Sequence, residues 1–126
     1  MLNKLLLCLG SNRNKLVNIE LASRKLSSHI EQILFSEIIE SDPVGRDPGV
    51  ENYLNRLAIA YTSKSLAEVI SLCKNLEKEL GRTPEDKISK SVPIDIDILK
   101  WNKQILKEEE LKREYVVKGL HTLPLF

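Results

Sequence analysis

Two aspartates, Asp95 and Asp97, are the sharpest chemical feature of this sequence. They alternate with Ile94, Ile96 and Ile98, which is typical of a strand with one apolar face. Side chains two residues apart on a strand point to the same side, with Cα atoms roughly 6.6 Å apart. Two such carboxylates can converge on Mg2+, which also accepts water and substrate phosphate oxygens. The alternative is a solvated polar face on an edge strand.

Two further pairs of side chains could bind a ligand. Arg82 follows Gly81 at the predicted end of a helix, where it could interact with the helix dipole or clamp a phosphate with its planar fork. Glu77, one turn earlier, could accept hydrogen bonds from a ligand or lie on a solvated face. Tyr53 and Asn55 could stack on and hydrogen-bond a flat heterocycle, or form an ordinary half-buried strand face.

The hydrophobic pattern predicts the elements that hold these residues. Strands are expected over 5–9, 33–41, 53–62 and 94–99. One helix should start at Asn14, with Leu16, Ile19, Ala22 and Leu26 at helical spacing. A second should begin with the capping box of Ser65 and Glu68 and end at Gly81. Residues 42–52 and 83–91 are predicted loops. The charged tail is predicted to hold a short helix over 107–113 and to return to the core over 120–126.

The order of these elements is strand, helix, strand, strand, helix, strand. It predicts a ferredoxin-like α+β sandwich, with helices packed on a mainly antiparallel four-stranded sheet. The chain has 126 residues, a length that fits one domain over 1–126. This fold supports many functions, so the order of elements predicts no chemistry by itself.

Composition excludes several classes of protein. The 42% hydrophobic content is too high for a disordered chain, and the net charge of +1 gives no general field for nucleic acid or an anionic membrane. Cys8 and Cys73 have apolar neighbours and no metal-binding spacing, so they are expected to be buried thiols. The apolar run at 5–9 is too short for a signal peptide or a membrane span. A cytoplasmic protein is expected.

Four motifs, in this order and spacing, resemble one known family. They are Leu9-Gly10-Ser11-Asn12; Asp42-Pro43-Val44-Gly45 followed by Asn52-Tyr53-Leu54-Asn55; Leu76-Glu77 with Leu80-Gly81-Arg82; and Pro93-Ile94-Asp95-Ile96-Asp97-Ile98-Leu99. Together they look like the 6-hydroxymethyl-7,8-dihydropterin pyrophosphokinases of folate biosynthesis. The resemblance extends from about residue 5 to residue 126. Each motif alone is weak, and their agreement in register makes the resemblance specific.

The resemblance implies an activity and a set of site residues. It implies transfer of pyrophosphate from ATP to a dihydropterin hydroxymethyl group with release of AMP, by a monomer that uses two Mg2+ ions held by Asp95 and Asp97. Arg82 would be catalytic and would lie in a loop that closes over the phosphates. The pterin would contact Ser41, Pro43, Val44, Tyr53, Asn55 and Leu120. The ATP would contact Glu77, Arg82, Ile98, Lys112 and Lys118.

The chain departs from the family pattern at several positions. Val92 stands where an arginine is usual, and Ile88-Ser89-Lys90-Ser91 replaces a stretch that usually holds tryptophan. Leu111-Lys112 replaces Pro-His, Lys118 replaces an arginine, and Leu120 replaces an aromatic ring. These changes leave two alternatives open: a degenerate paralogue that binds ATP or a pterin without catalysis, and a regulatory or interaction domain on the same scaffold.

Overall fold

The centre of the protein is an antiparallel sheet, seen in a computed structural model that describes residues 1–42 and 49–123. Within these residues the strands are β1 (Asn3–Ser11), β2 (Gln32–Phe35), β3 (Ile39–Ser41), β4 (Tyr53–Thr62), β5 (Asp95–Trp101) and β6 (Gln104–Ile105). Their spatial order is β2-β4-β1-β5-β6, with β3 also paired to β4. The helices are α1 (Lys15–His29), α2 (Leu66–Glu79), α3 (Asp86–Ser89), α4 (Glu108–Leu111) and α5 (Glu114–Thr122).

Strand β1 lies in the middle of the sheet and is buried on both faces. Leu5, Leu7 and Leu9 join the larger core, which also contains the buried side chains of α1 and α2. Leu6 and Cys8 face the other way, into a smaller core with residues of β4, β5 and α5. This double burial explains why β1 is apolar without alternation.

Helix α2 is the element that the sequence predicts most fully. Its N-terminus has the predicted capping box: the Ser65 hydroxyl accepts from the Glu68 amide at 3.2 Å, and the Glu68 carboxylate accepts from the Ser65 amide at 3.0 Å. Val69, Cys73 and Leu76 are buried on its inner face. The prediction for α1 is confirmed in position, although Asn14 makes no side-chain capping bond and Leu16 is exposed.

Helix α5 covers the second face of the sheet, and its close approach depends on Gly119. A Cβ at this position would lie 2.7 Å from Leu57 Cδ1 and 3.4 Å from Ile39 Cδ1. Glycine therefore allows the helix to pack directly against β4. Val116, one turn earlier, is fully buried in the smaller core.

Four sequence predictions need correction. The strand predicted over 33–41 is divided into β2 and β3 after Phe35. At the break, the Ser36 amide donates to the Leu57 carbonyl and the Ser36 hydroxyl accepts from the Leu57 amide. The Ser36 carbonyl accepts from Arg56 Nε, a side-chain group, in place of a strand partner. The loop predicted over 83–91 contains α3, and β6 was not predicted. The tail forms the predicted short helix as α4 and also forms α5, which the pattern does not predict. The expected return to the core is seen at Leu123, which is buried in the smaller core, while residues 124–126 lie outside the described residues.

The architecture confirms the predicted fold class, since helices pack on an antiparallel sheet in the predicted order. The described sheet has six strands where four were predicted, because the strand predicted over 33–41 is divided into β2 and β3 and because β6 was not predicted. None of the described helices combines the length and apolar character that crossing a membrane requires.

Candidate active site

The candidate site lies on the sheet face that α5 leaves partly uncovered. Gly10 is the register partner of Asn55 on one side and of Asp95 on the other. In the next row, Cys8 is the partner of Leu57 and of Asp97. Register partners share a face, so the polar side chains of β4 and β5 flank a strip of β1 that has only a glycine and a small thiol.

A cavity of about 820 Å3 opens over this strip. Its described lining comes from the sheet, from the segment that contains α3, and from α4 and α5. The lining residues that could bind a ligand through charge or an aromatic ring are Glu40, Asp42, Tyr53, Asp86, Lys87, Lys90, Asp95, Asp97, Glu110, Arg113, Glu114, Tyr115 and Lys118. Seven of these are acidic and four are basic, so the described lining does not attract a polyanion by itself.

The two aspartates of β5 face this cavity, as their alternation predicts. Ile94, Ile96 and Ile98 belong to the larger core on the opposite face. Burial, together with the neighbouring carboxylates of Asp95 and Glu110, raises the pKa of Asp97 from 3.8 to about 8. A bound cation would relieve this crowding of negative charge and displace the proton.

Glu110 and Tyr115 are site residues that sequence reasoning missed. The Tyr115 hydroxyl donates to Glu110 Oε2 at 3.0 Å, and the Glu110 side chain is hydrogen-bonded to Asp97. Burial raises the pKa of Tyr115, and the nearby Cys8 and Glu110 add to the effect. Glu110 stands in a run of three glutamates that resembles a solvated helix face, so only the packing of α4 against β5 reveals its position.

Asp95 and Asp97 form a donor set that suits Mg2+. Among the residues that the structure describes, no group of three or more histidine, cysteine or acidic side chains is arranged to hold a metal. Mg2+ is commonly held by one or two carboxylates and keeps water or phosphate oxygens in its other positions. The residues present therefore fit a magnesium ion that binds together with a phosphate ligand, and they do not form a closed structural site.

The predicted heterocycle pair lies across the cavity from the aspartates. Asn55 Nδ2 donates to the Ile39 carbonyl at 3.0 Å and to Ser41 Oγ at 2.7 Å, which fixes the amide. A Cβ on Gly10 would lie 3.5 Å from Asn55 Oδ1 and 3.5 Å from the Tyr53 ring. The absence of a side chain at Gly10 therefore keeps the space between the amide oxygen and the ring open to the cavity.

Glu77 bonds to the backbone of β5 and is not among the residues that line the cavity. Only 5% of it is exposed, and its Oε2 accepts from the Ile96 amide at 2.8 Å. Burial raises its pKa, and this hydrogen bond opposes the rise. Ile96 lies between the two aspartates, so the hydrogen bond from its amide to Glu77 supports the geometry of the pair.

Arg82 is held among three carboxylates. Its Nη1 donates to the Ile94 carbonyl at 3.0 Å and to Asp95 Oδ1 at 3.2 Å. The same nitrogen lies 3.8 Å from Glu77 Oε2, and Nε lies 3.6 Å from Asp86 Oδ2. The guanidinium thus links the end of α2 to the metal side of the candidate site.

Asn12 is a third residue whose structural role the sequence did not predict. Its side chain accepts from the Val92 amide at 2.6 Å and donates to the Lys90 carbonyl at 2.8 Å and to the Glu51 carbonyl at 3.4 Å. One buried amide therefore fixes the segments on both sides of the cavity mouth to the end of β1. Val92, which stands where the family usually has an arginine, is buried, and its amide is the group that bonds to Asn12.

The structure brings only part of the predicted set to the cavity. Ser41, Tyr53, Asn55, Asp95, Asp97 and Lys118 line it. Ile98 packs in the larger core, Lys112 is exposed with its Nζ 3.8 Å from Glu109, and Leu120 is partly exposed outside the lining. Pro43 and Val44 lie outside the described residues. The ligand-binding roles of all these residues stay predictions.

Comparison with known proteins shows the family of the chain. The family model for 7,8-dihydro-6-hydroxymethylpterin-pyrophosphokinase (HPPK) matches residues 6–124. The chain is also 36% identical over 76 residues to a 2-amino-4-hydroxy-6-hydroxymethyldihydropteridine pyrophosphokinase of Bacillus subtilis (strain 168). That alignment covers 60% of this chain and 44% of the relative, so the chain matches less than half the length of that protein. Because the family match includes all but the first five and last two residues, the chain belongs to the HPPK family.

Proposed function

We propose that this protein transfers the terminal pyrophosphoryl group of ATP to 6-hydroxymethyl-7,8-dihydropterin. The hydroxymethyl oxygen attacks the β-phosphorus, the bond from that phosphorus to the oxygen bridging to the α-phosphate breaks, and AMP leaves. The hydroxyl proton is released as the new bond forms. The observation that best supports this proposal is that the carboxylates of Asp95 and Asp97 face the same cavity as Tyr53 and Asn55.

The pterin would bind on the β4 side of Gly10. Both protons of Asn55 Nδ2 are engaged by Ile39 and Ser41, so Oδ1 is left to accept from an N–H of the heterocycle. The Tyr53 ring offers a flat apolar surface next to that oxygen. Pro43, Val44 and Leu120 complete the set that the family resemblance assigns to this ligand.

The triphosphate would bind on the β5 side. Asp95 and Asp97 would hold Mg2+, in two ions by resemblance to the family, and the metal would neutralise phosphate charge. Lys118 lines the cavity and supplies a point charge. Arg82 would turn its Nη1 from Asp95 to a phosphate, while Glu77, Ile98 and Lys112 are carried as ATP-side residues by resemblance alone.

Catalysis would then depend on position more than on a reactive side chain. Phosphoryl transfer needs the two reactants held in line and the developing charge stabilised. The two ligand sides are separated only by the width of β1, because Gly10 is the register partner of both Asn55 and Asp95. With the ligands bound as proposed, that spacing would bring the pterin hydroxymethyl group beside the phosphates on the metal side.

The test is AMP formation from magnesium-ATP with and without 6-hydroxymethyl-7,8-dihydropterin. Wild-type protein should form AMP only with the pterin, and Asp95→Asn should abolish it. Glu109→Gln is the matched control, because this exposed carboxylate pairs with Lys112 and does not line the cavity. AMP at equal rates in the wild type and Asp95→Asn, or no AMP from the wild type, would refute the proposal.

A non-catalytic paralogue is the second candidate, and the buried Val92 is the observation that favours it. The Val92 side chain is apolar and buried, so it supplies no cation where the family usually has one. Magnesium-dependent nucleotide binding without AMP formation would identify this case. Absence of both would favour an interaction domain. The single domain over 1–126, the monomeric state and the cytoplasmic location stay predictions, and light scattering would test the monomer.

A further inference from the structure

We infer that Asp86 is a positioning residue for Arg82, an inference that rests on the proposed function. Asp86 is only 2% exposed, yet it lines the cavity wall in the segment that connects α2 to β5. A carboxylate buried to this extent needs charged or hydrogen-bonding partners to compensate for lost hydration. Its partners show what it holds in place.

The carboxylate of Asp86 interacts with two arginines and one turn of backbone. Oδ2 accepts from the Thr83 amide at 2.9 Å and lies 3.6 Å from Arg82 Nε. Oδ1 accepts from Thr83 Oγ1 at 3.3 Å and lies 3.6 Å from Arg13 Nη1. Arg13 also donates to the Ser91 carbonyl at 3.2 Å. Asp86 therefore closes the turn after α2 and anchors it to the start of α1.

The two ends of the Arg82 guanidinium have different partners. Nε faces Asp86, whereas Nη1 contacts Asp95 and the Ile94 carbonyl. A cation held by Asp95 would compete with Nη1 for the same oxygen, and Nη1 would then be available to a phosphate. Asp86 is outside that competition, so its charge continues to face Nε, 3.6 Å away, while the other end of the fork changes partner.

Kinetics of Asp86→Asn test this inference. Asparagine can still accept from the Thr83 amide but removes the charge that faces Arg82. We expect kcat to fall about tenfold, with KM for ATP and for the pterin within twofold of the wild type. In an Arg82→Gln background, the same change should cause no further fall. Glu85→Gln, an exposed neighbour, is the matched control and should leave kcat unchanged.

Arg13→Gln separates the two arginine partners of Asp86. If Asp86 acts through Arg82, Arg13→Gln should change kcat less than twofold. An equal loss from Arg13→Gln and Asp86→Asn would overturn the inference, because Asp86 would then only anchor the segment. Additive losses in the double variant with Arg82→Gln, or no loss from Asp86→Asn, would also overturn it.

A readout independent of turnover separates this inference from the proposed function. In protein labelled with 15N-arginine, the Nε–H signal of Arg82 is assigned by its loss in Arg82→Lys. In the wild type, its chemical shift should stay away from that of free arginine when Mg2+ is added. In Asp86→Asn, its chemical shift should move toward that of free arginine. An unchanged signal in Asp86→Asn would overturn the inference even if the wild type forms AMP. A wild type without AMP would refute the proposed function, and the signal would still decide the role of Asp86.

Discussion

Replacing Glu77 tests whether its buried carboxylate supports the strand that bears both aspartates. Glu77→Ala removes the acceptor for the Ile96 amide, which now bonds at 2.8 Å. Hydrogen bonds to charged groups contribute about 1.5–3 kcal/mol, and a buried amide left without an acceptor costs about 1–3 kcal/mol. The two ranges are alternative measures of losing one hydrogen bond and are not added together. We therefore expect the free energy of unfolding to fall by about 2 kcal/mol. For a domain of this size, Tm should fall by about 8 °C.

Glu77→Gln is the matched variant, since its amide oxygen can still accept from Ile96 while the charge near Arg82 is lost. It should lower the free energy of unfolding by less than about 1 kcal/mol. Thermal and urea unfolding of both variants, at fixed pH without metal, measure the difference. A Glu77→Ala protein within 1 °C of the wild type would refute the reasoning. So would equal losses in the two variants, because the charge and not the acceptor would then matter.

The same pair of variants also distinguishes support from ligand contact. If Glu77 acts by holding Ile96, Glu77→Gln should bind magnesium-ATP with nearly the affinity of the wild type. The family resemblance instead places Glu77 against the nucleotide. A Glu77→Gln protein that keeps its stability and loses nucleotide affinity would establish that contact. Isothermal titration calorimetry with a non-hydrolysable ATP analogue gives the affinity.

Four other predictions follow from single contacts. Gly119→Ala should lower the free energy of unfolding by about 1 kcal/mol. Overpacking against Leu57 costs about 2 kcal/mol, whereas alanine gains about 1 kcal/mol in helix propensity. In a Leu57→Ala background, where the overpacking is relieved, the same change should be stabilising. The pKa of Asp97 is raised from 3.8 to about 8, so between these pH values the folded state binds a proton that the unfolded state has lost. The free energy of unfolding of the metal-free protein should therefore fall as pH rises from 5 to 9, as measured by urea unfolding, and Asp97→Asn should remove this fall. An equal fall in both proteins would contradict the prediction. Asn55→Ala should weaken pterin binding in calorimetry and leave ATP binding unchanged, and an equal loss for both ligands would show that the pocket is wrongly assigned. Val92→Arg should raise kcat, by at most about 100-fold, if the absent cation limits the rate; an unchanged kcat in a folded variant would mean that another cation already serves.

Local pattern predicts the elements whose stability is decided locally. The bounds of β4 agree with the prediction, and the Ser65 capping box marks the start of α2. The division between β2 and β3 could not be predicted, because Ser36 bonds to Leu57 and Arg56, which lie about twenty residues away in the sequence. The hydrophobic pattern of 33–41 is the same whether or not a residue in its middle leaves the ladder.

Alternation predicts the face of a side chain more reliably than it predicts a ligand. It places Asp95 and Asp97 on one face of β5 and Ile98 on the other, and the structure agrees. The resemblance also assigned Ile98 to ATP, a role that its place in the larger core does not support. Glu110 and Asn12 could not be identified from spacing, because each acts on residues that only the tertiary fold brings near. Asp86 lies four residues after Arg82, so spacing allows this pair, but only the fold shows that Asp86 is buried and also faces Arg13.

The charges of the candidate site connect metal binding to nucleotide binding. The described lining has seven acidic and four basic residues, and Val92 supplies no charge where an arginine is usual. A triphosphate that enters without a cation meets net repulsion. Without a cation, burial and then the neighbouring carboxylates of Asp95 and Glu110 raise the pKa of Asp97. Divalent cations remove both penalties at once. Nucleotide should therefore bind this protein as its metal complex. Replacing either Asp95 or Asp97 by asparagine should lower the affinity for this complex, although each replacement removes negative charge from the cavity.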